Sequence, residues 1–163
     1  MDSADVTKEI TKSFLSIGAR PPEAFIAHVD KLASYLPSDD RNISFHQACA
    51  RDSCGRSAEA IPYYRQALDS GITGENRRRA VIQMASSMRN IGQADEAPAL
   101  LLAEKDRESD HLDDALTCVI GLCLSSLSRD KEGLGAVLVA LAKHLPRYNV
   151  SMANYGKALL PQE

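Results

Sequence analysis

Along this chain apolar residues recur at the three- and four-residue intervals of α-helices, and the helices come in pairs. The segment 75–91 shows the pattern most plainly. On a helical wheel advancing about 100° per residue from Arg79, Arg79, Gln83, Ser86 and Asn90 fall within about 60° of one another. Arg89 and Ile82 flank this polar stripe, and Val81, Met84, Ala85, Met88 and Ile91 occupy the opposite face. One side is core and the other is a row of hydrogen-bond donors and acceptors. The same reading predicts helices over 4–17, 23–36, 40–54, 57–70, 75–91, 94–107, 111–127, 130–144 and 148–160. Pro37, Gly71 and Pro146 mark the breaks between pairs, because proline cannot continue a helix and glycine commonly ends one. Pro62 and Pro98 are placed in the first turns of their helices.

The pairs repeat. An apolar residue followed by a small one, then a polar stretch and a new helix, occurs at Ile17-Gly18, Cys54-Gly55, Ile91-Gly92 and Leu127-Ser128, at spacings of 37, 37 and 36. Five residues after the last three stand Ala60, Ala97 and Gly133, and seven before them Ala48, Ala85 and Gly121. At the first site the longer loop Ala19-Arg20-Pro21-Pro22 shifts the equivalent alanine to Ala24. Glycine takes the left-handed conformation that ends a helix without steric cost. Small residues at matched places let the two helices of a hairpin approach closely. A lone hairpin cannot hide its apolar face, so neighbours must stack.

These residues resemble the tetratricopeptide repeat, whose unit is about 34 residues long. The best match runs from Ser44 to Leu68, with Ala48, Gly55, Ala60, Tyr64, Ala67 and Leu68 in the family's small–Gly–Ala–aromatic–Ala order. The next unit matches at Ala85, Gly92, Ala97 and Leu101, with Glu104 where the last alanine is expected. The third has Gly121, Ser128, Gly133, Val137 and Ala140. The stretch 75–92 is similar to a subgroup of small bacterial tetratricopeptide proteins of unassigned activity, which implies a homodimer as one alternative. The fold implied is all-α, an α-α superhelix of three to four antiparallel hairpins plus a C-terminal capping helix. It forms a single domain with a degenerate hairpin at 1–37, repeats at 40–70, 74–107 and 111–145, and the cap at 148–160.

Composition narrows the chemistry. Aromatics make up 5% of the chain and tryptophan is absent, which disfavours a β-sandwich. A net charge of −3 gives no reason to expect nucleic acid or an anionic membrane as partner. No apolar run reaches the ~18–20 residues of a membrane span, and the acidic start Met1-Asp2-Ser3-Ala4-Asp5 is unlike a secretory signal, so the expected compartment is the cytoplasm. Cys49/Cys54 and Cys118/Cys123 are Cys-x4-Cys pairs. Five residues along a helix rise ~7.5 Å, beyond the ~7 Å a disulfide spans. No phosphate loop or nucleophile elbow occurs. His46 lies three residues from Cys49, but four-ligand zinc spacings are missing. Neither cofactor nor metal is expected, and a Cys/His metal protein is the weakest alternative.

The resemblance places the first helix of each hairpin on the inner, concave wall of the stack. The partner expected is a protein or peptide lying in that groove. Asn42, Phe45, Cys49, Asp52 and Ser53 line its first part, the stripe of Arg79, Ile82, Gln83, Ser86, Arg89 and Asn90 its middle, and Cys118, Leu122, Ser125 and Ser126 its far part. Phe45 suits an apolar anchor and equally a core position. Arg77, Arg78 and Arg79 crowd a helix start, where the macrodipole disfavours each positive charge by ~0.3–1 kcal/mol. An acidic peptide or a terminal carboxylate would match arginine's paired donors. Plain solvation also produces a polar face, and Glu75 sits where an exposed ion pair to Arg79 would form. Chaperone-binding members of the family clamp a carboxylate with lysines and asparagines. Phe45, Cys49, Ile82, Ser86, Cys118 and Leu122 take those places here, so that specific activity is not expected.

Overall fold

The computed structural model describes residues 2–161. Among them are nine helices and no strand, so the chain is all-α. The helices are α1 (Ser3–Leu15), α2 (Pro22–Ala33), α3 (Ile43–Ser53), α4 (Ser57–Asp69), α5 (Gly74–Asn90), α6 (Ala97–Arg107), α7 (Asp113–Ser126), α8 (Asp130–Ala142) and α9 (Asn149–Leu159). Two compact units divide the chain between Ser87 and Met88, inside α5.

The hairpin turns fall where the repeat predicts. Gly18, Gly55 and Gly92 have φ of 94°, 73° and 77°, and Ser128, the one non-glycine of the four, has φ 59°. At Gly55 the N–H groups of Gly55 and Arg56 donate back to the carbonyls of Asp52 and Arg51, tying off the end of α3. At Ser128 the same pair of bonds reaches Ser125 and Leu124.

In the first unit α1 packs on α2, α2 on α3 and α3 on α4. Val6, Ile10, Phe25, Val29, Leu32 and Ala50 form its apolar centre, with Phe14 meeting Phe25 edge-on at 5.3 Å between ring centroids. Each of these side chains larger than alanine, fully buried, stabilises the fold by roughly 1.5–3 kcal/mol. Asp2 caps α1, its carboxylate accepting from the Asp5 N–H at 2.8 Å. Asp30 and Arg51 join α2 to α3 through two bonds of 2.9 Å, and the guanidinium lies 4.1 Å over the Tyr63 ring.

In the second unit α6 packs on α7, α7 on α8 and α8 on α9. Leu101, Leu116, Ile120, Cys123 and Ala140 are buried there. Glu104, at the place of the missing alanine, is buried too, with its carboxylate 3.7 Å from Arg107.

Three local expectations are corrected. Ala24 is exposed and Phe25 takes the buried place beside it, so the first hairpin closes on a large side chain instead of a small one. Pro62 stands inside α4 beyond its first turn, where its missing N–H leaves the Ala58 carbonyl without a helical donor. Ile91, expected on the core face, is exposed because α5 ends at Asn90 and the Gly92 turn carries the chain away.

Candidate functional site

The residues of the polar stripe do not stay together. Of the three clustered arginines, Arg78 is 2% exposed while Arg77 and Arg79 are half-buried, so the cluster is not one solvated patch. Arg79 lies with its guanidinium carbon 5.1 Å above the centre of the Phe45 ring, a cation–π contact. Its Nη1 donates to Asn76 Oδ1 at the long distance of 3.4 Å. Asn76 in turn donates to Asn42 Oδ1 at 3.0 Å, which joins α5 to the start of α3. The macrodipole penalty on Arg79 is thus offset within the fold by the aromatic face beneath it.

Beside this stack, inside the first unit, a cavity of about 210 Å³ opens. Helix α1 supplies Ile10, Thr11 and Phe14 to its wall. Helix α3 supplies Phe45, His46, Cys49 and Ser53, one and two turns apart, and α5 supplies Arg79 and Gln83. Five residues expected in the groove (Phe45, Cys49, Ser53, Arg79 and Gln83) therefore meet at one place. The α1 residues were missed, because the repeat is too degenerate there to assign a face. His46 was weighed only as a metal ligand.

His46 is 7% exposed, and its Nε2 is buried with no hydrogen-bond partner among the described residues. A buried polar atom left unpaired costs about 1–3 kcal/mol. Burial holds the imidazole pKa below its ordinary value; Asp40 pulls it up and Arg79 pushes it further down. The ring is therefore neutral at neutral pH and carries one N–H.

Cys49 and its neighbours form a closed set. The Cys49 thiol donates to Gln83 Oε1 at 3.5 Å. The Tyr64 hydroxyl donates to Asp52 Oδ2 at 3.2 Å, and Ser87 Oγ donates to Asp52 Oδ1 at 2.6 Å. Asp52, expected to line the groove, is instead taken up in holding Tyr64 and Ser87. Burial pushes the Cys49 thiol up to about 11, so it is protonated at neutral pH and is a poor nucleophile.

The remaining candidates are spread along the chain. Ile82 and Ser86 are half-buried on α5, outside the residues that line the cavity. Arg89 and Asn90 fall in the second unit, where Arg89 Nη2 donates to Asn90 Oδ1 at 3.0 Å. Cys118 is half-buried and Leu122 exposed on α7, and neither lines the second unit's own cavity of about 280 Å³, which Leu102, Ile120, Leu124 and Val139 help to enclose. Among the described residues no three His, Cys, Asp or Glu side chains gather as a metal ion would need, and no helix is long and apolar enough to cross a membrane.

A family model described as tetratrico peptide repeat matches residues 41–159, well over half of the chain. No curated protein and no solved structure matches it.

Proposed function

This chain belongs to the tetratricopeptide repeat family, whose repeats generally mediate protein–protein interaction, and from that premise we propose that it is a non-catalytic module binding a peptide or protein segment across α3 and α5 of its first unit. The observation that carries the reading is Arg79. A guanidinium stacked on Phe45 at the edge of an open cavity is held in one orientation, with its donors available to an acidic group on a partner. Gln83 and Asn76 extend the polar surface along the same helix. Asn42 reaches it through Asn76. The protonated state of Cys49 supports binding over nucleophilic chemistry.

Partner capture from the native lysate, comparing wild type with Arg79→Glu, tests the reading. The bound set is expected to shrink in the variant. Identical partners from both forms would end it.

A second reading, self-association into a homodimer, is favoured by one feature of the second unit. Tyr148, Val150 and Tyr155 stand 75%, 69% and 65% exposed on and beside α9. Large apolar side chains left in the open are the raw material of an interaction surface. Sedimentation that finds only monomers at high micromolar concentration removes this reading.

A further inference from the structure

We infer that the second unit's cavity is a binding slot for a medium-chain carboxylate, whose alkyl chain lies between α6 and α8 and whose head meets Lys105. The slot is separate from the peptide surface proposed above and does not rest on it.

Shape is the first argument. Pro98, Leu102 and Lys105 line the slot from α6, Thr117, Ile120 and Leu124 from α7, and Glu132, Ala136 and Val139 from α8. Each set is seven residues long at three- and four-residue steps, so each helix gives the wall one face over two turns, about 10 Å. Helix α7 packs on both α6 and α8 and forms the floor. At about 280 Å³, against the ~150 Å³ that takes the six carbons of benzene, the slot has room for roughly ten or eleven carbons. Its length and narrow width suit an extended alkyl chain rather than a fused ring system. Leu102 is 49% exposed, and a chain filling the slot would cover it.

The second argument is the division of charge along the slot. Successive helices run antiparallel, as the bond from His144 beyond the end of α8 to Asp114 at the start of α7 requires. Lys105, Thr117 and Val139 therefore stand at one end, and Pro98, Leu124 and the pair Arg129–Glu132 at the other. Leu102, Ile120 and Ala136 lie between. At the far end Arg129 donates to both Glu132 oxygens, at 2.8 and 2.6 Å. The guanidinium holds that carboxyl below its ordinary range, so the pair stays ionised and cancels its own charge. Lys105 is exposed and has no ion-pair partner among the described residues. One uncompensated positive charge at the mouth of an apolar slot fits a ligand with one negative head. The lysine stem extends the apolar wall while its ammonium follows the head into water.

Calorimetric titration of the full chain tests the slot, with octanoate, decanoate, dodecanoate and decyltrimethylammonium as probes below micelle formation. Decanoate is expected to saturate at one molecule per chain. Octanoate, two methylenes shorter, should bind about tenfold more weakly, and dodecanoate no more tightly than decanoate because the slot is then full. Decyltrimethylammonium should bind about fivefold more weakly or worse. Lys105→Glu alters an exposed residue, so the fold is kept and the order of decanoate and the ammonium should reverse. Ala136→Leu fills the middle of the slot and should make octanoate bind at least as tightly as decanoate. Lys131→Glu, on α8 but outside the slot, should leave decanoate binding unchanged. Methyl NMR should show Leu102 and Ile120 shifting, with Leu122 and Leu134 still. No saturable binding overturns the proposal, and so does a head preference that Lys105→Glu leaves intact. A further tenfold gain from decanoate to dodecanoate, or shifts confined to Leu122 and Leu134, would mean adsorption to the open apolar surface and overturns it as well.

Discussion

Hairpin α3–α4 of the first unit and hairpin α7–α8 of the second occupy the same places in the repeat, yet they close by different means. In α3–α4 the matched small residues are Ala48 and Ala60, both fully buried, and large side chains fill the space around them: Tyr64, Phe45 and the Asp52 network. In α7–α8 they are Gly121 and Gly133. A methyl group built on either would stand 2.8 or 2.6 Å from the other's carbonyl oxygen. The two helices touch main chain to main chain, and Gly135 and Gly156 repeat the device between α8 and α9.

The difference has a consequence for surfaces. Where side chains separate the helices, the first unit keeps polar groups inside and a cavity between its first-of-pair helices. Where glycine brings backbones together, the second unit keeps its own cavity of about 280 Å³, walled mostly by apolar side chains. In that unit Leu122 and Leu134 stand exposed, and α9 carries Val150 and Tyr155 in the open. The same sequence rhythm lines a mixed recess in one unit and a more apolar one in the other.

Exchanging the matched residues is the strongest way to break this comparison. Gly133→Ala is expected to cost about 3 kcal/mol, the upper end for overpacking, because the obstacle is a backbone carbonyl that cannot rotate aside. The reverse exchange, Ala60→Gly, removes a buried methyl and adds chain entropy for about 1–2 kcal/mol. Urea denaturation measures both. A Gly133→Ala protein as stable as wild type would disprove the main-chain contact.

A pH series probes the polar interior peculiar to the first unit. With the folded pKa of His46 held below its ordinary 6.5, the unfolded chain takes up a proton first as pH falls. The buried neutral ring therefore contributes its full stability above about pH 6.5, and that contribution is lost as pH drops through the folded value, with a slope of at most ~1.4 kcal/mol per pH unit. The melting temperature of His46→Gln is expected to fall less than that of wild type between about pH 7 and pH 5. Parallel curves would show that the ring is not buried in this state.

The smallest effect sharpens the turns. Ser128 holds a left-handed φ that costs an L-residue about 1–2 kcal/mol, so Ser128→Gly should stabilise by about 0.5–1 kcal/mol after the added chain entropy. Gly55→Ala should destabilise by about 1–2 kcal/mol through backbone strain alone, since no atom lies within 4 Å of the added methyl. Opposite signs in thermal melts are the expected result.

Much of the fold was legible in the sequence. The four turns, the alternation of helices and the buried small residues all follow from spacing, because a helix end and a close approach each demand a residue type at one place. Less of the site could be read. Arg79, Gln83, Phe45 and Cys49 were found because they lie on periodic helices whose faces can be assigned. Thr11, Ile10 and Phe14 were not, since nothing in the degenerate first hairpin indicates which face meets α3. Periodicity also treated Arg77, Arg78 and Arg79 alike.

What the sequence determined by itself is local: which residues turn, which coil and which must be small, all set by backbone sterics and the helical period. What only the tertiary structure decided is the company each side chain keeps. Arg79 lies over Phe45, Asp52 is spent on Tyr64 and Ser87, and His46 is left with an unpaired nitrogen. Those pairings join residues 34 or 35 apart, or 12 apart across a hairpin, and they depend on distances between helices that no local rule contains.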